Sequence, residues 1–229
     1  MTLLRPRGSI AVLFGAIAIA GCSSIAPGAA QTSTQPEHGT ITDAAAIARA
    51  MADSARLPYT EADVHFMSAM IGHHAQAIVM ANWGPTHGAS ASVLRLAERI
   101  INAQDDEIAT MQRWLRDRLK PVPEARPTGM KMMMNGVEHE MLMPGMLTEA
   151  QMKQLDQARG PEFDRLFLTF MIQHHRGAVA MVKQLFDSYG AGQDETVFKF
   201  ATDVNVDQAT EIERMQKMLV SLTLGVESP

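Results

Sequence analysis

Residues 63–82 and 164–183 are two copies of one helical pattern. A single offset of 101 aligns Asp63 with Asp164, Phe66 with Phe167, Met70 with Met171, His73-His74 with His174-His175, Ala77 with Ala178, and Met80 with Met181. A chain that repeats a long helix in this way must bury the same face twice, so the two halves have to pack by the same rule. Repetition of apolar positions alone would mean a duplicated helix. Repetition of Met-x-x-His-His points to a duplicated site, because thioether sulfur and imidazole nitrogen are ligands for the same soft transition metals.

The helix that follows each copy repeats as well. At an offset of 104, Ile100, Gln104, Glu107, Met111 and Trp114 match Val204, Gln208, Glu211, Met215 and Met218. Helix signals dominate and strand signals are nearly absent. Thr60, with Asp63 three residues on, predicts a helix start, and Gly84-Pro85 ends that helix after about Asn82. A helix from about Ser90 to Lys120 stops at Pro121-Val-Pro123. Pro161 is placed as the first residue of the next, which runs to about Tyr189-Gly190, and a last helix spans about Asp194 to Leu222. Thr42 or Asp43 would start a short Ala-rich helix ending near Ala55. Two helix hairpins, about 58–120 and 161–222, joined by a connection at 121–147, predict an all-α four-helix bundle with pseudo-twofold symmetry.

Positions 63, 66, 70, 73, 77 and 80 alternate spacings of three and four, as an inward stripe does. So do 100, 104, 107, 111 and 114, and their counterparts. The stripe therefore carries Asp63, His73, Gln104 and Glu107 among apolar residues, which is costly unless they are paired or bind metal. His74 and His175 are turned about 100° from their neighbours, on the flank of the core or toward another helix. Met70 lies one turn before His73 and His74, and Met171 one turn before His174 and His175, so sulfur and imidazole can converge on one ion. Met on a helix stripe is also ordinary core filling, and a buried histidine can simply bond Glu107 or Glu211. Gln104, Glu107, Gln208 and Glu211 then either orient ligating imidazoles or form a metal-free buried network. Asp63 and Asp164 suit caps of helix starts better than ligands, since ten residues of helix separate Asp63 from His73 by about 15 Å. His38, His65 and His87 stand alone and read as structural or solvent-facing.

The connection is the second unusual segment. Met130, Met132, Met133, Met134, Met141, Met143 and Met146, with His139, fall within 17 residues. A mobile Met-dense loop suits capture of Cu(I) or Ag(I) outside the cytoplasm, whereas the same residues laid over the bundle would act as adaptable packing.

The N-terminus reads as an export signal. Arg5 and Arg7 precede an apolar run from Ile10 to Ala20, and Ile19-Ala20-Gly21 leads into Cys22, the only cysteine of 229 residues. Residues 1–21 resemble a bacterial lipoprotein signal peptide, with Cys22 as the lipidation site. An ordinary secretory signal with a chance cysteine is the alternative. If Cys22 is acylated, no thiol remains, and a metal site must use His, Met and carboxylates. Losing Arg5 and Arg7 moves the formal charge from −5 to −7, so nucleic acid is not an expected partner. Residues 22–40 read as a flexible tether and 41–229 as the folded domain.

The paired Phe-x3-Met-Ile-x-His-His-x2-Ala-x2-Met segments, each followed by Gln-x2-Glu-Ile-x2-Met, resemble the domain-of-unknown-function-305 (DUF305) family. The Met-Pro-Gly-Met-Leu-Thr stretch at Met143 to Thr148 resembles it too. The resemblance covers roughly residues 58–221. It implies a ferritin-like four-helix bundle, export from bacterial cells and, in some members, copper binding or copper tolerance. Carried over by position, the metal ligands would be His73, His74, His174, His175, Met70 and Met171, with Met80 and Met181 as further soft donors in the repeat.

The expectation is an envelope-anchored protein that binds copper, as Cu(I), for sequestration, tolerance or delivery, without turnover. Its partners would be the metal ion, the membrane through its lipid alone, a copper-accepting protein, and a second copy of the chain if it oligomerises. A ferritin-like dinuclear iron or manganese redox enzyme is the first alternative, against which stands the lack of any Glu-x-x-His pair. A metal-free interaction module with a buried His-Glu network is the second. No nucleophile triad, phosphate-binding glycine loop or dinucleotide fingerprint is present.

Overall fold

The computed structural model describes residues 59–225 except 128, 135 and 136, together with Ala48, and of residues 130–140 it describes the backbone alone. Ala48 is helical. The rest of the expected Ala-rich helix, the signal segment, the tether and Cys22 lie outside the described residues.

Among the described residues from 59 on, five α-helices follow in order: α1 Glu61–Asn82, α2 Ala91–Asp117, α3 Glu149–Gln157, α4 Pro161–Asp187 and α5 Glu195–Leu224. The four long ones form the expected bundle. α1 packs on α2, α4 packs on α5, and α1 meets α4 across the two hairpins. Among the described residues no helix is long and apolar enough to cross a membrane.

The helix starts form for local reasons visible in the chain. The Thr60 hydroxyl accepts from the Asp63 amide, and the Thr60 amide donates back to Asp63 at 2.6 Å, a reciprocal cap. Pro161 occupies the first turn of α4, where its missing N–H costs nothing. Asp194 caps α5 by accepting from the amides of Thr196 and Val197. α5 ends at Gly225, whose φ of 66° is the left-handed conformation glycine adopts most readily.

Asp63 and Asp164 also tie the halves together in matching fashion. Asp63 Oδ1 accepts from the Gly192 amide, in the α4–α5 turn, at 2.7 Å. Asp164 accepts from the Ser90 amide, in the α1–α2 turn, at 3.1 and 3.2 Å. Each half thus fastens the turn of the other. Asp63 serves as both cap and tie, whereas Asp164 makes the tie alone, because the start of α4 at Gly160 has no side-chain cap.

The connection differs from a plain loop. Met130–Met134 and Val137–Met141 form a two-stranded antiparallel ribbon, with Met130 opposite Met141 and Met132 opposite His139. The short helix α3 follows, capped reciprocally by Thr148 and Gln151. Both local structures are additions to the expected helical plan.

The apolar core divides into two clusters. One takes Phe66–Ile71 from α1, Ile108–Leu115 from α2, Ala178–Leu185 from α4 and Val197–Val204 from α5. The other takes Ala77–Ala81, Val93–Ile100, Phe163–Ile172, and Met215 with Met218 from the same helices. On each of the four long helices polar residues lie between the two stretches: His73, His74 and Gln76 on α1, Gln104 and Glu107 on α2, His174 and His175 on α4, Gln208 and Glu211 on α5. The bundle is therefore two apolar plugs with one polar layer between them. The 101-residue offset exchanges the plugs, sending Met70 in the first to Met171 in the second and Met80 in the second to Met181 in the first.

Candidate metal centre

α1 and α4 meet at the polar layer through their histidines. The His73 and His174 rings lie 3.9 Å apart between centroids, tilted by 39°. His74 is 6.3 Å from His73, and His175 is 6.2 Å from His174. All four side chains are fully buried.

Each imidazole has its Nε2 engaged by an acceptor. His74 Nε2 donates to Glu107 at 2.6 Å, and His175 Nε2 donates to Glu211 at 2.8 Å. His73 Nε2 donates to the Pro144 carbonyl at 3.0 Å, and His174 Nε2 to the His73 carbonyl at 2.9 Å. A carbonyl or carboxylate oxygen can only accept, so the proton must be on Nε2 in every case. In the neutral rings Nδ1 is then a bare lone pair. All four Nδ1 atoms are buried and have no hydrogen-bond partner. Buried acceptors without partners are uncommon, and four in one layer call for an explanation.

For His73 and His174 the electrostatics favour the neutral form. Burial, followed by the neighbouring His74, lowers the pKa of His73 to about 3. Burial, followed by His73, holds His174 well below the ordinary imidazole range. A neutral imidazole with a bare nitrogen is the ligating form, and one with its other N–H tied to a carboxylate or carbonyl is the arrangement that orients a ligand.

Glu107 and Glu211 reach the layer from the seam between α2 and α5. Arg99 on α2 pairs with Glu211 on α5 at 3.6 Å, across that seam. Asp207 lies there too: partial burial, then the charges of Glu107, Asp203 and Glu211, raise its pKa. Gln104 is buried with neither side-chain atom bonded, and Gln208 with its oxygen unbonded. They share the layer without hydrogen-bonding the imidazoles.

The methionines flank the layer. Met70 and Met181 lie in the first plug, Met80 and Met171 in the second, and all four are buried. Met143 and Met146 are buried in the first plug as well, so this end of the connection is packed into the core. Among the described residues no three His, Cys, Asp or Glu side chains converge on one metal position. A ready-made cage of carboxylates and imidazoles is therefore not part of the site, and the remaining soft donors nearby are thioethers.

The turn Met143-Pro-Gly-Met146 seals one side of the layer. Besides the His73–Pro144 bond, Gln76 both donates to the Leu147 carbonyl at 3.0 Å and accepts from its amide at 2.7 Å. Gln173 donates to the Gly145 carbonyl at 3.2 Å. The turn approaches α4 so closely that a Cβ on Gly177 would lie 1.9 Å from the Pro144 oxygen. Gly145, at φ 77°, faces the same contact. Gln76, Gln173 and Gly177 were not apparent as site residues in the sequence. A glycine inside a long buried helix was the available signal, because it costs helix stability unless something packs against it.

His87 is structural, as expected. It is buried, donates to Asp156 and stacks on Trp83. His65 is exposed on α1. Cys22 and His38 lie outside the described residues, as do the side chains of Met130, Met132, Met133, Met134 and His139.

The family model "Domain of unknown function (DUF305)" matches residues 63–219. A DUF305 crystal structure of a putative secreted protein from Streptomyces coelicolor is 30% identical with a TM-score of 0.58, covering 73% of this chain and 96% of its own. A DUF305 fragment from Deinococcus radiodurans is 28% identical with a TM-score of 0.58, covering 71% and 97%. CopM in its Cu(I)-bound form is 26% identical with a TM-score of 0.52, covering 70% and 96%. CopM is also similar in Cu(II)-bound and Ag-bound forms. No curated protein matches the chain.

Proposed function

Since the chain belongs to the DUF305 family, we propose that it is an exported copper-binding protein that takes Cu(I) at the polar layer and sequesters it or passes it on. The observation that carries this reading is the set of four buried imidazoles whose Nε2–H groups are all tied and whose Nδ1 lone pairs are all free. Nitrogen donors from this layer and sulfur donors from Met70, Met80, Met171 and Met181 make a set without thiolate or exclusively oxygen ligation. Such a set suits Cu(I) and its congener Ag(I), and it suits magnesium, calcium or manganese poorly. The likeness to CopM, which is described with Cu(I), Cu(II) and silver bound, supports the same metal.

Capture follows from the chemistry of these donors. Glu107 and Glu211 hold His74 and His175 in one orientation and keep the proton on Nε2. Burial keeps His73 and His174 neutral, so little proton release accompanies binding. Thioethers bind without titrating. Nothing in this sequence needs turnover. A location at the bacterial cell envelope is supported by the resemblance of residues 1–21 to a lipoprotein signal ending at Cys22, followed by a tether at 22–40, and the copper-accepting partner would meet the domain there.

The dinuclear iron or manganese alternative is less well supported, because that chemistry draws on convergent carboxylates and histidines, and no three of these converge among the described residues. The test is a Cu(I) titration of the full chain against a competing chelator. The chain should hold Cu(I) more tightly than Zn(II) or Fe(II), and replacement of His73, His74, His174 and His175 by Ala should remove most of that affinity. If Met-to-Leu changes across Met130–Met146 remove it instead, the bundle is a scaffold and the connection is the trap. Binding no tighter than that of an unrelated helix bundle would leave the metal-free network as the better account.

A further inference from the structure

A cavity of about 550 Å³ opens on the surface between the start of α1, the end of α4 and the segment leaving the strand Val137–Met141. Its walls are largely apolar, with Phe66, Leu142 and Leu185 among them. Four soft donors line it: His65 from α1, Met141 and Met143 from the connection, and Met181 from α4. Met143 and Met181 are each 6% exposed, on its floor, while Met141 is 47% exposed at its edge. His65 is exposed at the rim.

We propose that this groove is a second soft-cation site, beside the polar layer and sharing Met181 with its donor set, which takes Cu(I) or Ag(I) through the His65 imidazole and the thioethers of Met141, Met143 and Met181. An apolar groove with no ligand function is well served by leucine and phenylalanine. Three thioethers and one imidazole, brought from three separate parts of the chain to one cavity, are the donors a monovalent soft ion binds in apolar surroundings. Thioether side chains have three rotatable bonds, so an open groove can close on an ion without backbone movement. Exposure of Met141 and His65 lets an ion make its first bonds from solvent, and the buried sulfurs then complete its shell.

The groove is one residue removed from the polar layer. Met143 lines it, and the next residue, Pro144, accepts the Nε2–H of His73. Met181 likewise shares the first apolar plug with Met70. An ion held here is staged beside the buried imidazoles, so the groove serves as a loading or unloading station for the layer. The proposal rests on the reading that this chain handles a soft monovalent metal.

Ag(I), which does not change oxidation state under these conditions, is the probe. The full chain labelled with methyl-13C methionine is titrated with silver nitrate while each methyl resonance is followed, and bound silver is counted by equilibrium dialysis. Met141 and Met143 should shift on binding, and the double variant His65→Asn with Met141→Leu should bind one Ag(I) fewer per chain. Met80 and Met171 should still respond in that variant. Both substituted residues are exposed, so the bundle stays intact, which circular dichroism verifies. An unchanged silver count in the double variant overturns the groove site, as do unmoved Met141 and Met143 resonances at saturation. If those two stay still while Met80 and Met171 move, the groove fails and the layer stands. If they alone move, the layer reading fails and the groove stands.

Discussion

Glu107 and Glu211 act on the site without being required as ligands. Each holds one imidazole by its Nε2–H, and loss of such a partner typically weakens metal binding 10–100-fold. The paired substitution Glu107→Gln with Glu211→Gln should therefore weaken Cu(I) binding by about one to two orders of magnitude in chelator competition, with helix content unchanged. His73 makes a second prediction, on the metal-free chain. Its pKa falls from an ordinary imidazole value near 6.5 in the unfolded chain to about 3 in the folded one. Between those limits the unfolded chain binds a proton that the folded chain refuses, so stability is full above the upper limit and declines as pH drops below it. The decline should be about 1.4 kcal/mol per pH unit from His73, with His174 acting in the same direction. Urea midpoints measured at pH 7.5 and pH 5 check this. The residues of the layer were legible in the sequence because polar groups recurred on an apolar stripe in both halves. Their pairing was not, since the sequence allowed Glu107 to face either imidazole of its half or neither. The Pro144 carbonyl was invisible to any side-chain reading, because every residue has one.

Among the elements, the four long helices read clearly from caps and breaks, with boundaries displaced by only a few residues. α3 and the ribbon were missed for different reasons. Thr148-x-x-Gln151 is a capping signature, but it opens a helix of only nine residues, too short to show periodicity. The ribbon has Met and charged residues where strands usually carry β-branched ones, so no propensity marked it. The turn at Met143–Leu147 is the element on which the layer depends most. Gly177→Ala would push a methyl group into the Pro144 carbonyl, an overpacking that should cost about 1–3 kcal/mol. It should also release the turn, and increased proteolysis at residues 143–147 would reveal that. At the end of the first plug, Arg118 pairs with the fully buried Asp194 and lies 4.3 Å from the centroid of the Trp114 ring. Arg118→Met leaves that carboxylate with only Trp114 and the α5 amides, and should cost about 3 kcal/mol in urea unfolding.

For the molecule as a whole, the two offsets predicted a pseudo-twofold bundle, and the exchange of the two plugs by the 101-residue offset is that symmetry. Each hairpin contributes to both plugs and fastens the turn of the other through Asp63 or Asp164. Neither hairpin should therefore fold alone as a monomer: a peptide of residues 59–127 should show little helix by circular dichroism unless it self-associates, which light scattering would detect.

The symmetry stops at the turn. The N-terminal half has Thr42-Asp-Ala-Ala45 where the offset would place a second Met-Pro-Gly-Met. His73 consequently gives its proton to a turn, whereas His174 gives its own to a helix backbone. Duplication gives two like half-sites, and this hydrogen bond is one of the contacts that make them unequal. On the proposed reading, an ion approaching the layer meets two half-sites of like composition, one of which has its His73 N–H held by the turn at Pro144. On that reading a doubled sequence yields two unequal positions for the ion.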